Sequence, residues 1–232
     1  DRLIKIYENP RLNILGTFSH LCVADSDKKE DIKFTEKQIE NFNKCIKQLK
    51  ENGQDVGKIH LQSSYGAINY NTETYDYVRI GILMYGINSD NTSYQKNKLD
   101  LKPVLSLKAR ATSVKEINKD DSVSYGRTYI ADRNRKIASI SIGYADGIPR
   151  CLSNKDILVK VNGYYAKVIG RICMDQCVID VTDVKEIKTG DVVYIIDSND
   201  INLSSEKLAM NADTITNELL SRLGNRLPRI KS

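Results

Sequence analysis

The sequence predicts an α/β region followed by a mostly-β domain. In roughly the first 90 residues, three short apolar segments alternate with one long segment of helical periodicity. A polar, asparagine-rich stretch follows at 89–97, and beyond it most segments alternate with period two, as β-strands do. We therefore predict two domains, residues 1–95 and residues 96–232, with a helix near the end of the second.

The α/β region is predicted from one helix and three strands. Residues 35–49 place four apolar side chains on one helical face, and the pattern that begins at Thr35 resembles a capping box. Each predicted strand carries polar residues at its C-terminal end, which is typical of a parallel α/β sheet or barrel. The predicted strands lie at 12–18, 58–61 and 77–80.

The later segments predict a small antiparallel barrel or sandwich. Asn162-Gly163 joins two alternating segments, and this dipeptide is the strongest short-range signal for a β-hairpin. Residues 213–223 predict a helix that Gly224 ends. The predicted strands are 101–114, 135–143, 156–161, 165–169, 176–181 and 191–196.

Composition excludes several classes of function. The net charge is +5, but lysine and arginine are dispersed among aspartate and glutamate, so we expect solvated surfaces and no nucleic-acid partner. No apolar run is long enough to span a membrane. The five cysteines are an odd number without metal-ligand spacing, which favours free thiols in a reducing cytoplasm and no metal site.

Three polar side chains, His20, Ser64 and Arg79, lie at the C-terminal ends of predicted strands, where α/β barrels build their sites. The backbone N–H groups of Gly81 and Ile82 open a strand-to-helix turn, which suits a phosphate. Each residue taken alone also has a structural explanation: a core histidine, a helix cap and a surface ion pair. Together they favour a cofactor that carries a phosphate.

The β domain carries tyrosine, arginine or aspartate at several predicted strand ends. Tyr125 is followed by Gly126 and by two cations, and a catalytic tyrosine is one interpretation of this turn. A packing residue is the other interpretation. Tyr144-Ala145-Asp146-Gly147 also fits a plain tight turn, and Met174 also fits core filling. The stretches that bring tyrosine, arginine or aspartate to a predicted strand end are 123–128, 143–147, 170–176 and 225–229.

In these motifs the sequence resembles the alanine racemase family, whose members depend on pyridoxal 5′-phosphate (PLP) and combine a TIM-type α/β barrel with a β domain. The likeness runs from about Leu12 to Arg229 and implies that residues 1–95 are the C-terminal part of the barrel. The motifs, in order, are Thr17-Phe18-Ser19-His20, Val78-Arg79-Ile80-Gly81-Ile82, Val123-Ser124-Tyr125-Gly126, 142–147, 170–176 and Arg226-Leu227-Pro228-Arg229.

The resemblance assigns roles to individual residues. Arg79 would hydrogen-bond the pyridine nitrogen of PLP, and His20 would link Arg79 to Tyr125. Tyr125 would be one of two bases that exchange the α-proton of an amino-acid substrate, and it would reach the site from the partner subunit of a homodimer. The expected phosphate ligands are Ser64, Gly81 and Ile82.

Other residues of the β domain are implied in substrate binding. The backbone N–H of Met174 would lie near the substrate carboxylate, also across the subunit boundary. The residues that match positions at the entrance of the site are Asp25, Tyr144, Arg150, Arg171 and Asp175.

The first departure from the family pattern is a missing lysine. No lysine among the 232 residues matches the family's PLP-anchoring lysine, which lies in an early barrel strand. We therefore expect the chain to be a fragment that is inactive alone. We expect the parent protein to be cytoplasmic, or the cytoplasmic part of a membrane protein with an upstream membrane segment.

The second departure is Asn225, which stands where the family's alanine racemases carry a tyrosine. Asparagine is shorter and offers both a hydrogen-bond donor and an acceptor, so it leaves room for a hydroxyl and can pair with it. The chain is in this respect similar to the serine racemases associated with vancomycin resistance, which favours racemisation of serine and of alanine. The alternatives are a strict alanine racemase and, in another class, a non-catalytic PLP-binding barrel protein.

Overall fold

The computed structural model describes residues 2–71 and 75–231. The chain divides into two compact units. The first unit comprises Asp1–Met84 and Thr92–Leu101, and the second comprises Tyr85–Asn91 and Lys102–Ser232. The predicted fold class is confirmed, because a helix-and-strand region precedes a mostly-β region that closes into a barrel. Within the described residues, no helix combines the length and the apolar composition that crossing a membrane requires.

The first unit is organised around two short parallel strands. Gly16 pairs with Lys58 and Phe18 pairs with His60. A Cβ atom at Gly16 would lie 2.4 Å from the Lys58 carbonyl oxygen, so the close approach of the strands requires glycine at this position. The elements of the first unit are α1 (Arg2–Tyr7), β1 (Gly16–Phe18), α2 (Lys29–Glu51), β2 (Lys58–His60) and α3 (Ser64–Asn69).

Two predictions for this unit are wrong. Helix α2 begins at Lys29, and Thr35 lies inside it with its hydroxyl donating to the Asp31 carbonyl oxygen at 2.9 Å. A threonine that bonds back to residue i−4 belongs to a helix interior, so it is not the cap. The predicted strand at 77–80 is reduced to an isolated parallel bridge between Ser63 and Arg79, because a strand needs a pairing partner along its length.

The second unit is a closed antiparallel barrel, which decides between the predicted barrel and sandwich. Its described strands follow the order β10-β3-β6-β9-β8-β7, and β10 pairs with β7 to close the ring. Strands β4 and β5 form a separate pair. The strands are β3 (Leu107–Ile117), β4 (Ser122–Val123), β5 (Tyr129–Ile130), β6 (Arg135–Ile140), β7 (Leu158–Val161), β8 (Tyr164–Ile169), β9 (Cys177–Asp180) and β10 (Val192–Ile196).

The predicted hairpin is confirmed. Strands β7 and β8 pair from Val161 opposite Tyr164, and Asn162-Gly163 forms the turn. The φ angles of Asn162 and Gly163 are 49° and 84°, so both residues occupy the left-handed region that a type I′ turn requires. The strands on either side bury alternate side chains in the barrel core, including Val159, Val161 and Ala166.

Two helices follow the barrel: α4 (Ser205–Asn211), which the sequence did not predict, and α5 (Thr216–Ser221). The predicted helix over 213–223 is therefore too long. Asp213 has a φ of 57°, which separates the two helices, and α5 ends at Ser221, before Gly224. Leu219 of α5 is fully buried against the barrel core.

Candidate functional site

Arg79 lies at the C-terminal ends of β1 and β2, and backbone carbonyl groups hold its guanidinium. The Nη2 atom donates to the Ser19 oxygen at 2.7 Å and to the Leu61 oxygen at 3.2 Å. The Nη1 atom donates to the His60 oxygen at 3.2 Å. Burial lowers the pKa of the Arg79 guanidinium from its usual value, yet arginine remains charged near neutral pH. The result is a fixed cation at the strand ends.

Two histidines flank this guanidinium. The Nδ1 atom of His60 lies 2.6 Å from Nη1 of Arg79, and the Nδ1 atom of His20 lies 3.3 Å from Nη2. Because arginine only donates, the Nδ1 atom of each histidine accepts in these contacts. The Phe18 ring stacks on His60 with centroids 5.2 Å apart and fixes its plane.

His60 is a residue that the sequence reasoning missed. His60 lies inside the predicted strand at 58–61, for which the sequence predicts no functional role. The signal in the sequence was a histidine near the C-terminal end of this strand, and its place opposite Phe18 at the end of β1 is visible only in the structure. Polar residues at the same end of paired parallel strands tend to meet.

A small cradle for an anion lies next to Arg79. The Gly81 N–H donates to the Ser64 hydroxyl oxygen at 2.9 Å, so an amide and a hydroxyl lie within reach of one shared group. Ser64 is only 5% exposed, and a Cβ atom at Gly81 would lie 3.9 Å from the hydroxyl oxygen. Ile82 begins a short 3-10 turn, Ile82–Tyr85. An amide and a hydroxyl beside a half-buried cation fit a phosphate group and a ring nitrogen.

In the second unit, Tyr125 lies on a tight turn after β4. Ser124 has a φ of 67°, and Tyr125–Arg127 forms a 3-10 turn. The Ser124 hydroxyl donates to the Arg171 carbonyl oxygen at 2.5 Å, which attaches the turn to the stretch at 170–176. The Tyr125 side chain is 69% exposed in its own chain, so its hydroxyl is presented outward from a fixed turn.

The turns at 143–147 and 173–176 are hydrogen-bonded to each other. The Tyr144 N–H donates to the Cys173 oxygen at 3.0 Å, and the Ala145 N–H donates to the Met174 oxygen at 3.0 Å. A Cβ atom at Gly143 would lie 2.3 Å from the Cys173 oxygen, so this contact requires glycine. These bonds fix the backbone around Met174.

A guanidinium links both turns to the end of the chain. Arg226 places Nη2 2.6 Å from a carboxylate oxygen of Asp175 and Nε 3.5 Å from one of Asp146. The hydrogen bond to Asp175 and the charge of Asp146 raise the pKa of Arg226. Asn225 precedes this arginine and is exposed.

The sequence-predicted residues thus fall into two groups, one in each unit. His20, Ser64, Arg79, Gly81 and Ile82 meet in the first unit, where His20 contacts Arg79 and Ser64 contacts Gly81. The second group gathers on loops of the second unit and comprises Tyr125, Tyr144, Arg171, Met174, Asp175 and Asn225.

Two residues predicted at the entrance of the site, Asp25 and Arg150, belong to neither of these two groups of contacts. Asp25 lies in a turn after β1, where its carbonyl oxygen accepts from the Tyr94 N–H at 2.7 Å. Arg150 begins a separate 3-10 turn, Arg150–Leu152.

Comparisons with known families match both units. Residues 1–89 match the family model described as alanine racemase, N-terminal domain. Residues 104–231 match the model described as alanine racemase, C-terminal domain. The second match alone covers more than half of the chain.

Individual relatives agree with the family models. The chain is 41% identical over 223 residues to an amino-acid racemase of Enterococcus faecalis, covering 96% of the chain and 31% of that protein. It is 37% identical over 232 residues to a serine/alanine racemase of Enterococcus gallinarum, covering 100% of the chain and 32% of that protein. A crystal structure of alanine racemase from Bacillus anthracis with bound L-Ala-P superposes with a TM-score of 0.86 at 32% identity, covering 95% of the chain and 56% of that structure.

Proposed function

The chain belongs to the alanine racemase family, and we propose that it forms part of a PLP-dependent racemase that interconverts the L and D forms of serine and alanine. The chain spans about a third of the length of the two relatives named above, so this activity is proposed for the whole protein that carries it. The observation that carries the proposal is the Arg79 guanidinium, which lies between two histidines and next to the Ser64–Gly81 cradle.

The first unit would supply part of a PLP site, without the anchoring lysine that the family carries in an early barrel strand. The Ser64 hydroxyl and the Gly81 and Ile82 amides would hold the phosphate, and Arg79 would donate to the pyridine nitrogen. When bound, PLP supplies an electron sink that makes the α-proton of an amino acid acidic. Arginine gives up no proton at neutral pH, so it orients the ring without protonating it, which favours reversible proton exchange over side reactions.

The second unit supplies one of the two bases. Racemisation removes a proton from one face of the α-carbon and returns one to the other face, so groups on opposite faces are needed. Tyr125 would take or give the proton at its hydroxyl oxygen on one face. Its exposure and its fixed turn support a role across a subunit boundary, in a homodimer that shares each site. The His20–Arg79 contact would orient this tyrosine from the first unit of the partner chain.

The substrate class is proposed from two features of the second unit. The fixed backbone around Met174 would present its N–H to the substrate carboxylate. The Asn225 amide would pair with a serine hydroxyl, and a buried hydroxyl is favourable only when it is paired. The serine/alanine racemase among the relatives supports the same assignment.

The role of Tyr125 is tested by Tyr125→Phe in the whole protein with PLP bound. Loss of a positioned base typically costs about 10²–10⁴-fold, so racemisation in at least one direction should fall by that factor while cofactor absorbance is retained. Polarimetry from each enantiomer and deuterium uptake at the α-carbon measure the two directions separately. Near-normal rates in both directions would exclude Tyr125 as a base.

The serine assignment is tested by Asn225→Tyr. The bulkier side chain removes the hydroxyl partner and fills the space, so the ratio of kcat/KM for serine to kcat/KM for alanine should fall by about tenfold or more. An unchanged ratio would refute the pairing with the hydroxyl. A wild-type protein that racemises alanine only would identify a strict alanine racemase.

A further inference from the structure

The stretch that carries Asn225 is held by the last arginine of the motif. We call residues 223–229 the Asn225 loop. The Arg229 guanidinium donates through Nη2 to the Leu223 oxygen at 2.8 Å, and through Nη1 to the Gly224 oxygen at 2.7 Å and the Leu227 oxygen at 2.9 Å. One side chain therefore binds backbone carbonyl groups on both sides of Asn225.

The backbone of the loop provides little order of its own. Helix α5 ends at Ser221, and the Leu227 N–H reaches the Gly224 oxygen only at 3.4 Å, which is a weak hydrogen bond. Pro228 has no N–H to donate. The three carbonyl bonds from Arg229 replace the backbone ladder that a helix or strand would supply.

Two other residues of the loop, one on each side of Asn225, are attached to the rest of the second unit in different ways. Leu223 is buried in the barrel core. Arg226 pairs with Asp175 at 2.6 Å, but both side chains are more than half exposed, and exposed ion pairs contribute little. Arg226 also lies 3.5 Å from a carboxylate oxygen of the buried Asp146, and Leu227 packs against the barrel core. Arg229 is the side chain that binds backbone carbonyl groups on both sides of Asn225 itself.

We infer that Arg229 is a positioning residue for substrate selection, an inference that rests on the function proposed above. By fixing the carbonyls of Leu223, Gly224 and Leu227, it sets where the Asn225 amide stands relative to a substrate hydroxyl. Selection by a paired hydroxyl is sensitive to such placement, because a misaligned partner leaves the hydroxyl unpaired. Arg229 does not touch the reacting atoms in this assignment.

The test compares Arg229→Lys and Arg229→Ala in the whole protein with PLP bound. A lysine ammonium keeps the charge but lacks the planar fork that reaches three carbonyls, so both variants should lower the serine-to-alanine ratio of kcat/KM by about tenfold. The loss should appear mainly as a raised KM for serine, with kcat for alanine nearly unchanged. The matched control is Arg222→Ala, which removes an exposed arginine that pairs with Glu218 one helical turn earlier and should leave the ratio unchanged.

A second readout is independent of catalysis. NMR order parameters of the backbone at 224–227 should fall in Arg229→Ala from about 0.85 to about 0.6 or below, while those of the barrel strands stay unchanged. Unchanged order parameters in the loop would overturn the inference, whatever the kinetics. Lower order parameters with an unchanged ratio would also overturn it, because Arg229 would then order the loop without setting selection.

The two proposals fail in distinguishable ways. If Asn225→Tyr lowers the serine-to-alanine ratio and the Arg229 variants do not, the positioning inference is wrong and the serine assignment stands. If the Arg229 variants lower the ratio and Asn225→Tyr does not, the loop selects through another group, so the pairing with Asn225 is wrong and the role of Arg229 stands.

Discussion

The two units hold their site residues by different means. In the described part of the first unit, two three-residue strands form the sheet, and Arg79 is fixed by hydrogen bonds to backbone carbonyls at the strand ends. In the second unit, a closed barrel encloses an extensive apolar core, and the site residues lie on the loops between its strands. The site residues of the first unit are thus held by local polar contacts, and those of the second lie on loops attached to a closed barrel.

The difference also appears in the surfaces of the two sheets. A closed barrel leaves no strand edge unpaired, whereas a two-stranded sheet exposes its edges. Apolar side chains in and next to β1 are also exposed in this chain, including Leu15 and Phe18. We therefore expect the second unit to be the more stable part of this chain.

The largest expected effect is on the free energy of unfolding, when one core isoleucine is truncated in each unit. Ile179 of β9 is 0% exposed inside the barrel, and Ile46 of α2 is 7% exposed in the first unit. Isoleucine-to-alanine changes in cores cost about 2–5 kcal/mol, and the cost depends on how well the surroundings collapse into the cavity. A closed barrel collapses poorly, so Ile179→Ala should fall near the upper end of the range and Ile46→Ala near the lower end.

The measurement is hydrogen exchange against denaturant, followed separately for amides of each unit, because two units need not unfold together. Ile201→Ala is the control, since this side chain is 82% exposed and its loss should change the free energy of unfolding by less than about 0.5 kcal/mol. Equal costs for Ile179→Ala and Ile46→Ala would contradict the difference in rigidity.

Much of the barrel could be predicted from the sequence, because its signals are local. The alternation on either side of Asn162-Gly163 and the positive φ angles of that turn depend on neighbouring residues only. The choice between barrel and sandwich depends on the pairing of β10 with β7, residues far apart in sequence, and no local pattern encodes it. The segment at 77–80 has strand-like composition, yet only Arg79 finds a bridge partner, so tertiary context overrode propensity.

The sequence could predict which residues belong to the candidate site, but not the contacts that hold those residues in place. Tyrosine, arginine and aspartate at strand ends are visible in a sequence, and the family motifs assign them roles. Arg79 and Arg229, however, are held mostly by backbone carbonyl oxygens, which every residue carries and which therefore leave no signal in residue type. His60 was overlooked because its role depends on the parallel register of β1 and β2.

The smallest expected effect concerns the barrel core at alkaline pH. Burial, with a smaller contribution from the charge of Cys173, raises the pKa of Cys177 from 9.0 to about 12. The folded state therefore keeps this thiol neutral. The stability that this provides is complete below the unfolded pKa and is lost as pH rises from about 9 towards about 12. Each pH unit in that window should cost about 1.4 kcal/mol from this one group.

The measurement is urea unfolding of the second unit at pH 8 and at pH 10 in the wild type and in Cys177→Ala. The wild type should lose more stability between the two pH values than the variant does, since alanine has no proton to release. Cys151→Ala is the matched control, because Cys151 is exposed and its removal should leave the pH dependence as in the wild type. An identical pH dependence in wild type and Cys177→Ala would mean that water reaches this part of the core, and the contrast between a closed barrel and an open first unit would then be weaker than the packing indicates.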